Sequence, residues 1–508
     1  MLDCIVIGAG PGGLVCTKEL IEQGLQEVVC LEQAKDAGGV FANAYDSLVL
    51  TSSATISMFS DFWIGDGNQH EFWTKDEAVD YWKRYAEHFG VLERIRFNSK
   101  VVAVVEQGRE GWQIQLESGD ILLSKRLALA TGNNAIPNYP EWKNLLTHVE
   151  YFHSQEYRNA DMFHDKNVLA VGGGESGADI ALELSSVASQ CWVSIRNTMG
   201  WVATRKRSLE GNVVAADVAL NRLVWAMSGK TITKVIQQAD LIEQDPVFDA
   251  AVELNKKIKG SNGIWGIFGT KNFSFPKAIV YHGCKVVGEI VKVEDGGRTL
   301  HTAEGECLEN VDAVVFSTGY KNAVSFLPEE LKQTDPRSLY KHMFHPKYRD
   351  KIVWIGWARP NYGSQFPVME MQARLFALIC KGELALPATA EMERVACIDR
   401  VANLEQFDHH AYRVRSLVDY HHYMDDMASL IGCKPSLWKY LFSAPRICLP
   451  LVFAAIQGTQ FRLQGPGNKE SLARKILIKL PIIVPTPIVK GLLRQSLADA
   501  LSLSRLGR

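Results

Sequence analysis

The chain has 508 residues, too many for one ordinary hydrophobic core, so its length predicts two to four domains of about 100 to 200 residues each. Its 55 basic and 57 acidic side chains give a formal net charge of −2, and without a large positive field we expect no nucleic-acid partner. The 10 cysteines include no Cys-x-x-Cys pair, which argues against a thiol-disulfide redox centre and against a zinc site, and we expect no metal.

The first predicted element is a short apolar strand at residues 4–7 that runs directly into a glycine-rich turn and then a helix. The turn contains Gly8, Gly10, Pro11, Gly12 and Gly13. In such a turn the glycines let the backbone approach a pyrophosphate, and the positive helix N-terminus attracts that anion. The next strand ends at Glu32, whose carboxylate can accept hydrogen bonds from both ribose hydroxyls and would repel a 2′-phosphate. This unit is therefore predicted to bind FAD or NAD.

The last strand of the first unit is predicted to approach the same cofactor. It ends in Thr131 and Gly132, small residues that suit a close approach of backbone to cofactor. Residues 133–140 are rich in asparagine and proline and predict a linker. We predict that the first part of an FAD-binding domain spans residues 1–160.

A second strand, turn and helix follow, and they predict a second nucleotide site. Buried-strand residues 168–171 lead into a turn and helix start formed by Gly172, Gly174, Glu175, Ser176 and Gly177. Arg196 stands 24 residues after Gly172, the same offset that separates Glu32 from Gly8, and its positive charge favours a 2′-phosphate. Arg205 lies close behind and can share that role. The two units together predict that one chain binds FAD and NADPH.

The NADP-binding domain is predicted at residues 161–320, with an amphipathic helical insertion at about residues 211–259. A buried strand at residues 311–320 ends in Thr318 and Gly319 and is expected to return the chain to the first unit. Another strand follows at residues 352–356. A helix is predicted to start at Pro367 and to carry Gln372, with its N-terminus toward the electron-rich side of the flavin. Residues 321–508 are predicted to form the second part of the FAD domain and a C-terminal helical extension.

The C-terminal segment, residues 472–508, is basic and apolar. Two interpretations are open: contact with an anionic membrane surface, or a wrapping terminal segment, which Pro481, Pro485 and Pro487 favour because they interrupt any continuous helix. No apolar run is long enough to cross a bilayer. The first strand begins at residue 2, which leaves no room for a secretory peptide, so we expect a cytoplasmic protein with membrane association as an alternative.

Histidine and tryptophan clusters have ordinary explanations. His409 and His410, like His421 and His422, are adjacent, and adjacent residues on a helix point about 100 degrees apart, which disfavours one shared metal ion. His153 fits either a cofactor contact or an interdomain hydrogen bond. Trp63, Trp73 and Trp82 are better explained as packing than as a substrate cage.

With these residues in view, the chain resembles the flavin-containing monooxygenases. The resemblance spans almost the whole chain in the family's order. Besides the two glycine turns it is carried by residues 38–41, Phe59-Ser60-Asp61-Phe62, residues 130–132, His153 to Tyr157, residues 194–196, Gly200-Trp201-Val202, residues 316–320, Glu370-Met371-Gln372-Ala373-Arg374, Tyr423-Met424-Asp425, Phe461-Arg462-Leu463 and Gly465-Pro466-Gly467.

Two departures from the family pattern concern the chemistry. Thr147 and Val149 stand where the identifying sequence of the family has Phe and Gly. An asparagine amide is thought to face the flavin's reactive edge in many members, and here the corresponding stretch offers only Ser52 and Ser53. A hydroxyl lacks the two donors and the carbonyl of an amide. Ser52 and Ser53 are therefore the candidate catalytic residues, and the substrate class is open.

The resemblance implies an α/β fold of two dinucleotide-binding, Rossmann-like domains, with the NADP domain inserted in the FAD domain. It implies that Gly39, Val40 and Phe41 belong to the FAD site. It also implies the reaction: NADPH reduces the flavin, O2 adds to form a C4a-peroxide, and a soft nitrogen or sulfur nucleophile of a small-molecule substrate takes the distal oxygen. The alternatives are Baeyer-Villiger oxidation, halide oxidation or halogenation, NADPH oxidation that only yields H2O2, and a non-catalytic flavin module. Tyr157 followed by Arg158 departs from the Baeyer-Villiger fingerprint. The oligomeric state is open, a homodimer included.

Overall fold

The computed structural model describes residues 1–65, 71–196, 201–209, 212–227, 245–256, 262–411 and 414–483. Within these ranges the α-helices are, in chain order, α1 (Pro11–Glu22), α2 (Ala54–Ser57), α3 (Lys75–His88), α4 (Glu175–Val187), α5 (Arg222–Trp225), α6 (Pro246–Lys256), α7 (Ser274–His282), α8 (Gln365–Lys381), α9 (Thr389–Ala411), α10 (Tyr420–Ile431), α11 (Leu437–Ser443), α12 (Pro445–Phe453) and α13 (Glu470–Leu477).

The strands in the same ranges are β1 (Leu2–Ile7), β2 (Val28–Leu31), β3 (Ile95–Arg96), β4 (Val101–Glu106), β5 (Trp112–Leu116), β6 (Ile121–Leu129), β7 (Ile136–Pro137), β8 (Glu150–His153), β9 (Asn167–Val171), β10 (Gln190–Ser194), β11 (Trp201–Val202), β12 (Lys206–Leu209), β13 (Asn212–Ala215), β14 (Gly269–Thr270), β15 (Lys285–Val287), β16 (Ile290–Glu294), β17 (Thr299–Thr302), β18 (Cys307–Leu308), β19 (Ala313–Phe316), β20 (Tyr320–Lys321), β21 (Ile352–Trp354), β22 (Arg359–Pro360) and β23 (Leu417–Val418).

The first sheet has the strand order β3-β2-β1-β6-β5-β4, and β21 also pairs with β6. Its β3, β2, β1, β6 and β21 are parallel, while β5 and β4 extend it in antiparallel pairing. Alternate residues of β1 enter different cores: Cys4 and Val6 pack with α1 and α8, and Ile5 and Ile7 pack with β21. A strand buried on both faces needs an unbroken apolar run, which the sequence supplies.

The second sheet is parallel throughout, in the order β15-β10-β9-β19-β8, with α4 and α7 packed on one face. The strand predicted at residues 311–320 contains β19, which pairs between β8 and β9. The chain then returns to the first unit, because β20 pairs with β7 and β21 pairs with β6. β8 belongs to the second sheet although it lies within the predicted first unit of residues 1–160, and the domain bounds stay a prediction.

The predicted insertion at residues 211–259 does not begin as a helix. An antiparallel hairpin of β12 and β13 comes first, followed by a turn that contains Asp217 and by the short helix α5. The helix α6 is the part that agrees with the prediction. The remaining residues of the predicted insertion, 228–244 and 257–259, lie outside the described ranges.

The C-terminal half adds helices to the first sheet. α8 packs beside α1, and α10 packs on α8. Farther along, α11, α12 and α13 surround a small core of their own. Of the predicted tail at 472–508, residues 484–508 lie outside the described ranges, and so do the side chains of His409 and His410. Within the described part of the chain, no helix combines the length and the hydropathy needed to cross a bilayer.

Candidate functional site

The first glycine turn joins β1 to α1 in a conformation that requires glycine at its ends. Gly8 has φ +103°, and a Cβ there would lie 2.6 Å from the Ala130 carbonyl oxygen; a Cβ on Gly13 would lie 1.7 Å from the Gly8 oxygen. Gly10 differs, because among the described residues a Cβ there would meet no atom nearer than the Gly39 Cα at 3.5 Å, which is an ordinary van der Waals contact. No clash within the described chain requires glycine at this middle position, which fits a residue kept small for the approach of a pyrophosphate. Pro11, Gly12 and Gly13 form the first turn of α1.

The Gly39 loop lies against this turn. The Gly38 N–H donates to the Ala9 carbonyl at 3.1 Å, and a Cβ on Gly39 would be 3.0 Å from the Gly10 Cα. Phe41 packs on Trp82 with ring centroids 5.0 Å apart, while Val40 is 46% exposed. On the other side, the Ala130 N–H donates to the Ile7 carbonyl, which brings Thr131 and Gly132 to the same end of the sheet. The structure thus joins the sequence-predicted residues into one cradle.

Glu32 lies at the end of β2, beside the turn. Its carboxylate accepts hydrogen bonds from the Ala9 N–H at 2.7 Å and the Ala34 N–H at 2.8 Å, and the residue is buried. The position is the one that reads the adenosine ribose in folds of this type. The carboxylate also fixes the turn, because it holds one of the turn's own amides.

The second turn repeats this geometry between β9 and α4. Gly172 has φ +127° and a Cβ there would lie 2.3 Å from the Ser317 oxygen, and a Cβ on Gly177 would lie 2.3 Å from the Gly172 oxygen. Among the described residues, a Cβ on Gly174 would have no neighbour within 4 Å. Glu175, Ser176 and Gly177 form the first turn of α4, and Thr318 and Gly319 follow the adjacent β19. The space left at this middle glycine fits a dinucleotide.

Arg196 follows β10 next to this second turn, because the Gly172 N–H donates to the Ser194 carbonyl at 3.1 Å. Its side chain is 57% exposed, and its guanidinium lies 3.6 Å from the Glu289 carboxylate. An exposed arginine beside the turn is free to meet a phosphate, with Glu289 as its competitor. Arg196 therefore lies near the second turn as Glu32 lies near the first, but one residue farther along, since the first glycine of each turn donates to Leu31 in one unit and to Ser194 in the other.

Arg205 is placed differently from Arg196. Its guanidinium donates to the Val49 and Lys271 carbonyls, both at 3.2 Å, and lies 3.8 Å from Asp179. It thus links the insertion to the first unit and to α4. Lys271 donates to the Gly363 carbonyl at 3.2 Å, just before α8. A direct phosphate contact by Arg205 stays a prediction.

Ser52 and Ser53 lie in a buried segment that ends at α2. The Ser52 hydroxyl lies 2.9 Å from the Ser57 hydroxyl, and the Ser53 N–H donates to the Asp217 carboxylate at 2.7 Å. The Ser53 Oγ and the Asp217 Oδ1 are both buried, and neither makes a hydrogen bond of good geometry with another described residue. Such buried polar atoms fit a ligand group that completes their hydrogen bonding. Burial raises the pKa of Asp217, although the hydrogen bond from the Ser53 N–H and the charge of Lys271 act in the opposite direction.

The helix predicted from Pro367 begins two residues earlier, at Gln365, because Ser364 caps it by accepting from the Phe366 N–H. Gln372 lies inside α8 and is fully buried. Its amide oxygen accepts from the Gly356 N–H at 2.8 Å, and its amide nitrogen donates to the Tyr423 hydroxyl at 2.9 Å. Within the described residues Gln372 therefore holds the loop after β21, and its cofactor role stays a prediction.

A buried ionic network that sequence reasoning did not predict holds the elements behind the first turn. Arg462 is fully buried, and its guanidinium donates to Glu19 of α1 at 2.6 Å, to Glu370 of α8 at 2.8 Å and to the Ser60 hydroxyl at 2.7 Å. Asp61 lies 3.5 Å from the same guanidinium. Burial raises the pKa of Asp61, but Arg462, Lys18 and Lys469 outweigh it and hold that pKa well below the ordinary value. Ser60 with Asp61, Glu370 and Arg462 lie in three separate motifs of the family resemblance, and this was the available signal.

Glu19, Glu22 and Asp61 are close enough together to hold a metal ion. Lys18, Arg462 and Lys469 already neutralise them, so the cluster needs no ion. The His153 ring nitrogens contact the Gly319 carbonyl at 3.1 Å and the Gln155 N–H at 3.2 Å, and because β8 pairs with β19 both contacts lie within the second unit. His421 is buried and pairs with the Tyr362 hydroxyl. Trp73 and Trp82 pack in the largest core, with Trp63 against it.

The comparisons with known proteins agree with this geometry. The family model described as flavin-binding monooxygenase-like matches residues 3–488. The chain is 32% identical over 494 residues to a 4-hydroxybenzoate brominase (decarboxylating) of Pseudoalteromonas luteoviolacea, covering 95% of this chain and 93% of that protein. It is 28% identical to flavin-containing monooxygenase 5 of Rattus norvegicus, covering 95% and 92%. The fold is similar to that of S-allyl-L-cysteine S-oxygenase from Allium sativum, with a TM-score of 0.60, 18% identity, and 86% and 90% coverage.

Proposed function

Because the chain belongs to the flavin-binding monooxygenase-like family, we propose that this FAD- and NADPH-dependent monooxygenase delivers oxygen to a soft nucleophile held near Ser53 and Asp217. FAD and NADPH, when bound, supply the reduction and the activation of O2, while the protein positions the cofactors and the substrate and excludes water from the site. The observation that carries the proposal is the pair of turns of equal geometry, which end beside Glu32 in one unit and Arg196 in the other.

The chain's own residues have distinct roles in this proposal. Gly10 and Gly174 leave room for the two pyrophosphates at the N-termini of α1 and α4. Glu32 selects a ribose without a 2′-phosphate, whereas Arg196 selects one with it. The Ser53 N–H orients the Asp217 carboxylate, and the unpaired Asp217 Oδ1 can accept or donate a proton at the substrate. A raised pKa favours that exchange because it lies nearer to neutral pH.

The leading acceptor is a nitrogen or sulfur nucleophile, as the wider family suggests. A second candidate is bromide, with a phenolic acid as the final acceptor. This candidate is favoured by the two brominases at 32% and 31% identity over 95% and 99% of this chain, which exceed the 27–28% of the flavin-containing monooxygenases. Bromide is itself a soft nucleophile, so both candidates use the same oxygen transfer and differ in the pocket that holds the acceptor.

The deciding experiment gives the FAD-loaded enzyme NADPH and O2 with a panel of tertiary amines and sulfides, and separately with 4-hydroxybenzoate and bromide. Products are identified by mass spectrometry, and H2O2 is measured in parallel. N-oxides or sulfoxides support the leading candidate, and brominated phenols support the second. A reaction of 4-hydroxybenzoate without bromide is the matched control. NADPH consumption that is recovered entirely as H2O2 under every condition contradicts both.

A further inference from the structure

Two cationic side chains, Lys271 and Arg359, project from segments that pack side by side. Lys271 directly follows β14, and Arg359 is the first residue of β22. The Asn361 amide donates to the Trp265 carbonyl at 3.0 Å, and the Lys271 ammonium donates to the Gly363 carbonyl at 3.2 Å. These two hydrogen bonds fasten the segment before Lys271 to the segment after Arg359, so both cations are held at one place.

Both side chains have hydrogen-bond donors to spare. Among the described residues, neither has a carboxylate at ion-pair distance. The Arg359 guanidinium lies over the face of the Phe268 ring, 4.3 Å from its centre, and donates no hydrogen bond to a described residue. A stacked guanidinium keeps its N–H groups at its edge, where they can donate to an anion. Lys271 has further N–H donors beyond the one that bonds the Gly363 carbonyl.

Bulk water does not fully solvate these two charges, because burial lowers the pKa of both Lys271 and Arg359. Glu175 attracts both cations and Asp217 attracts Lys271, but burial outweighs these carboxylates. Arg462 shows the contrast: it is fully buried, and carboxylates at contact distance raise its pKa. A cation that is removed from water without a contacting carboxylate favours an anion from outside the chain.

The pair is connected to the proposed acceptor site through Arg205. The Arg205 guanidinium donates to the Lys271 carbonyl at 3.2 Å, and the Ala216 N–H donates to the Arg205 carbonyl at 2.8 Å. The next residue, Asp217, accepts from the Ser53 N–H at 2.7 Å. An anion bound by Lys271 therefore lies close to the unpaired polar atoms of Ser53 and Asp217.

The acceptor fits this position better than the coenzyme does. In the proposed function, NADPH already has a positive partner for each of its phosphate groups, namely Arg196 for the 2′-phosphate and the N-terminus of α4 for the pyrophosphate. The acceptor has no such partner. An ammonium beside a guanidinium matches the two oxygens of a carboxylate, to which both groups donate charge-assisted hydrogen bonds.

We propose that Lys271 and Arg359 bind a carboxylate of the organic acceptor and hold its nucleophilic end at Ser53 and Asp217. The substrate class is then a small carboxylic acid in its anionic form. The pair positions the acceptor and takes no part in bond making. This inference rests on the proposed function, because that function places the acceptor at Ser53 and Asp217.

The test measures binding by isothermal titration calorimetry to the full chain with FAD bound and NADP+ at saturation. The probes are 4-(methylthio)benzoate and its methyl ester, which is close to the acid in size and carries no charge. We expect the acid to bind roughly tenfold or more tightly than the ester. Lys271→Met and Arg359→Gln should each remove most of this preference and leave the affinity for the ester nearly unchanged. Retained FAD absorbance shows that each variant is folded.

Lys277→Met is the matched control, because Lys277 is an exposed lysine of α7 a few residues farther along the chain and the substitution is the same. It should keep the preference for the acid. Equal affinity of the unaltered protein for acid and ester would overturn the proposal, as would the absence of binding by both. If Lys271→Met and Arg359→Gln weaken NADP+ binding and keep the preference for the acid, the pair serves the coenzyme and the proposal is wrong.

The same probes separate this inference from the proposed function, since both are sulfides. Sulfoxide formed from acid and ester with equal KM would support oxygen transfer and contradict the carboxylate site. A calorimetric preference for the acid that both variants remove, with all NADPH recovered as H2O2, would support the carboxylate site and contradict oxygen transfer.

Discussion

Replacing Arg196 by alanine should make the enzyme lose its preference for NADPH over NADH. Arg196 is exposed beside the second glycine turn, and its only ion pair among the described residues is the one with Glu289 at 3.6 Å. The 2′-phosphate of NADPH is the one group that NADH lacks. A contact to that phosphate therefore affects NADPH alone, while the turn and the N-terminus of α4 serve both coenzymes equally.

The expected magnitude follows from one charged hydrogen-bonding contact, which contributes about 1.5–3 kcal/mol. At about 1.4 kcal/mol for each factor of ten, the KM for NADPH should rise roughly tenfold to a hundredfold. Removing the charge of Glu289 should have the opposite effect on the KM for NADPH. Its carboxylate competes with the phosphate for Arg196, and removing one negative charge a few ångströms away at a solvated surface is worth on the order of 0.5–1 kcal/mol.

The assay is initial-rate kinetics with NADPH and NADH for the unaltered protein, Arg196→Ala and Glu289→Gln. We expect Arg196→Ala to raise the KM for NADPH and to leave that for NADH within about twofold. Glu289→Gln should lower the KM for NADPH by a few-fold. Equal effects of Arg196→Ala on both coenzymes would refute the assignment of this side chain to the 2′-phosphate.

Three further predictions concern the first turn, the ionic network and Asp217. Gly10→Val should yield protein without FAD, because the new side chain fills the space left for the pyrophosphate; a yellow protein at full occupancy, measured by absorbance, would contradict this. Arg462→Met should lower the free energy of unfolding by about 3–5 kcal/mol, because it leaves buried carboxylates without their cation, whereas Lys469→Met, at a residue 25% exposed, should cost about 1 kcal/mol or less. Because the pKa of Asp61 is depressed in the folded protein, its ionised carboxylate stabilises the fold above the unfolded pKa of 3.8, and this stabilisation is lost as the pH falls. In an acid titration, Arg462→Met should therefore unfold at a higher pH than the unaltered protein. Asp217→Asn keeps an acceptor for the Ser53 N–H. Because the pKa of Asp217 is raised, burying this residue as an anion opposes folding above that pKa, so the variant should be no less stable than the unaltered protein in urea at pH 7. The acidic limb of the pH profile of kcat should disappear in the variant.

The local parts of the site could be predicted from the sequence because their partners are neighbours along the chain. Each glycine turn lies directly between its own strand and helix, so the residue types record the backbone geometry that the turn requires. Glu32 and Arg196 follow at one offset because the second strand of such a unit always ends beside the turn. The family, the two cofactors and the α/β class with two dinucleotide-binding units, all read from these patterns, are confirmed by the comparisons.

The sequence did not predict which of the two sheets a given strand joins. The strands at 150–153 and 313–316 are short, and the apolar run of β19 suits either sheet. Their pairing depends on which sheet edge remains free once the other strands have assembled, and the hydrophobic periodicity of a strand does not indicate which edge that is. The hairpin that opens the insertion was missed for a similar reason, because only four residues form each strand.

What the sequence determined by itself is therefore the pair of nucleotide turns and the charge beside each of them, since these depend on contacts within one short supersecondary unit. The tertiary structure alone decided the contacts between distant segments: Ser53 with Asp217, and Arg462 with Glu19, Ser60 and Glu370. Such partners are 92 to 443 residues apart, and a buried charge or amide becomes paired only when packing removes water and brings the opposite group within hydrogen-bond distance.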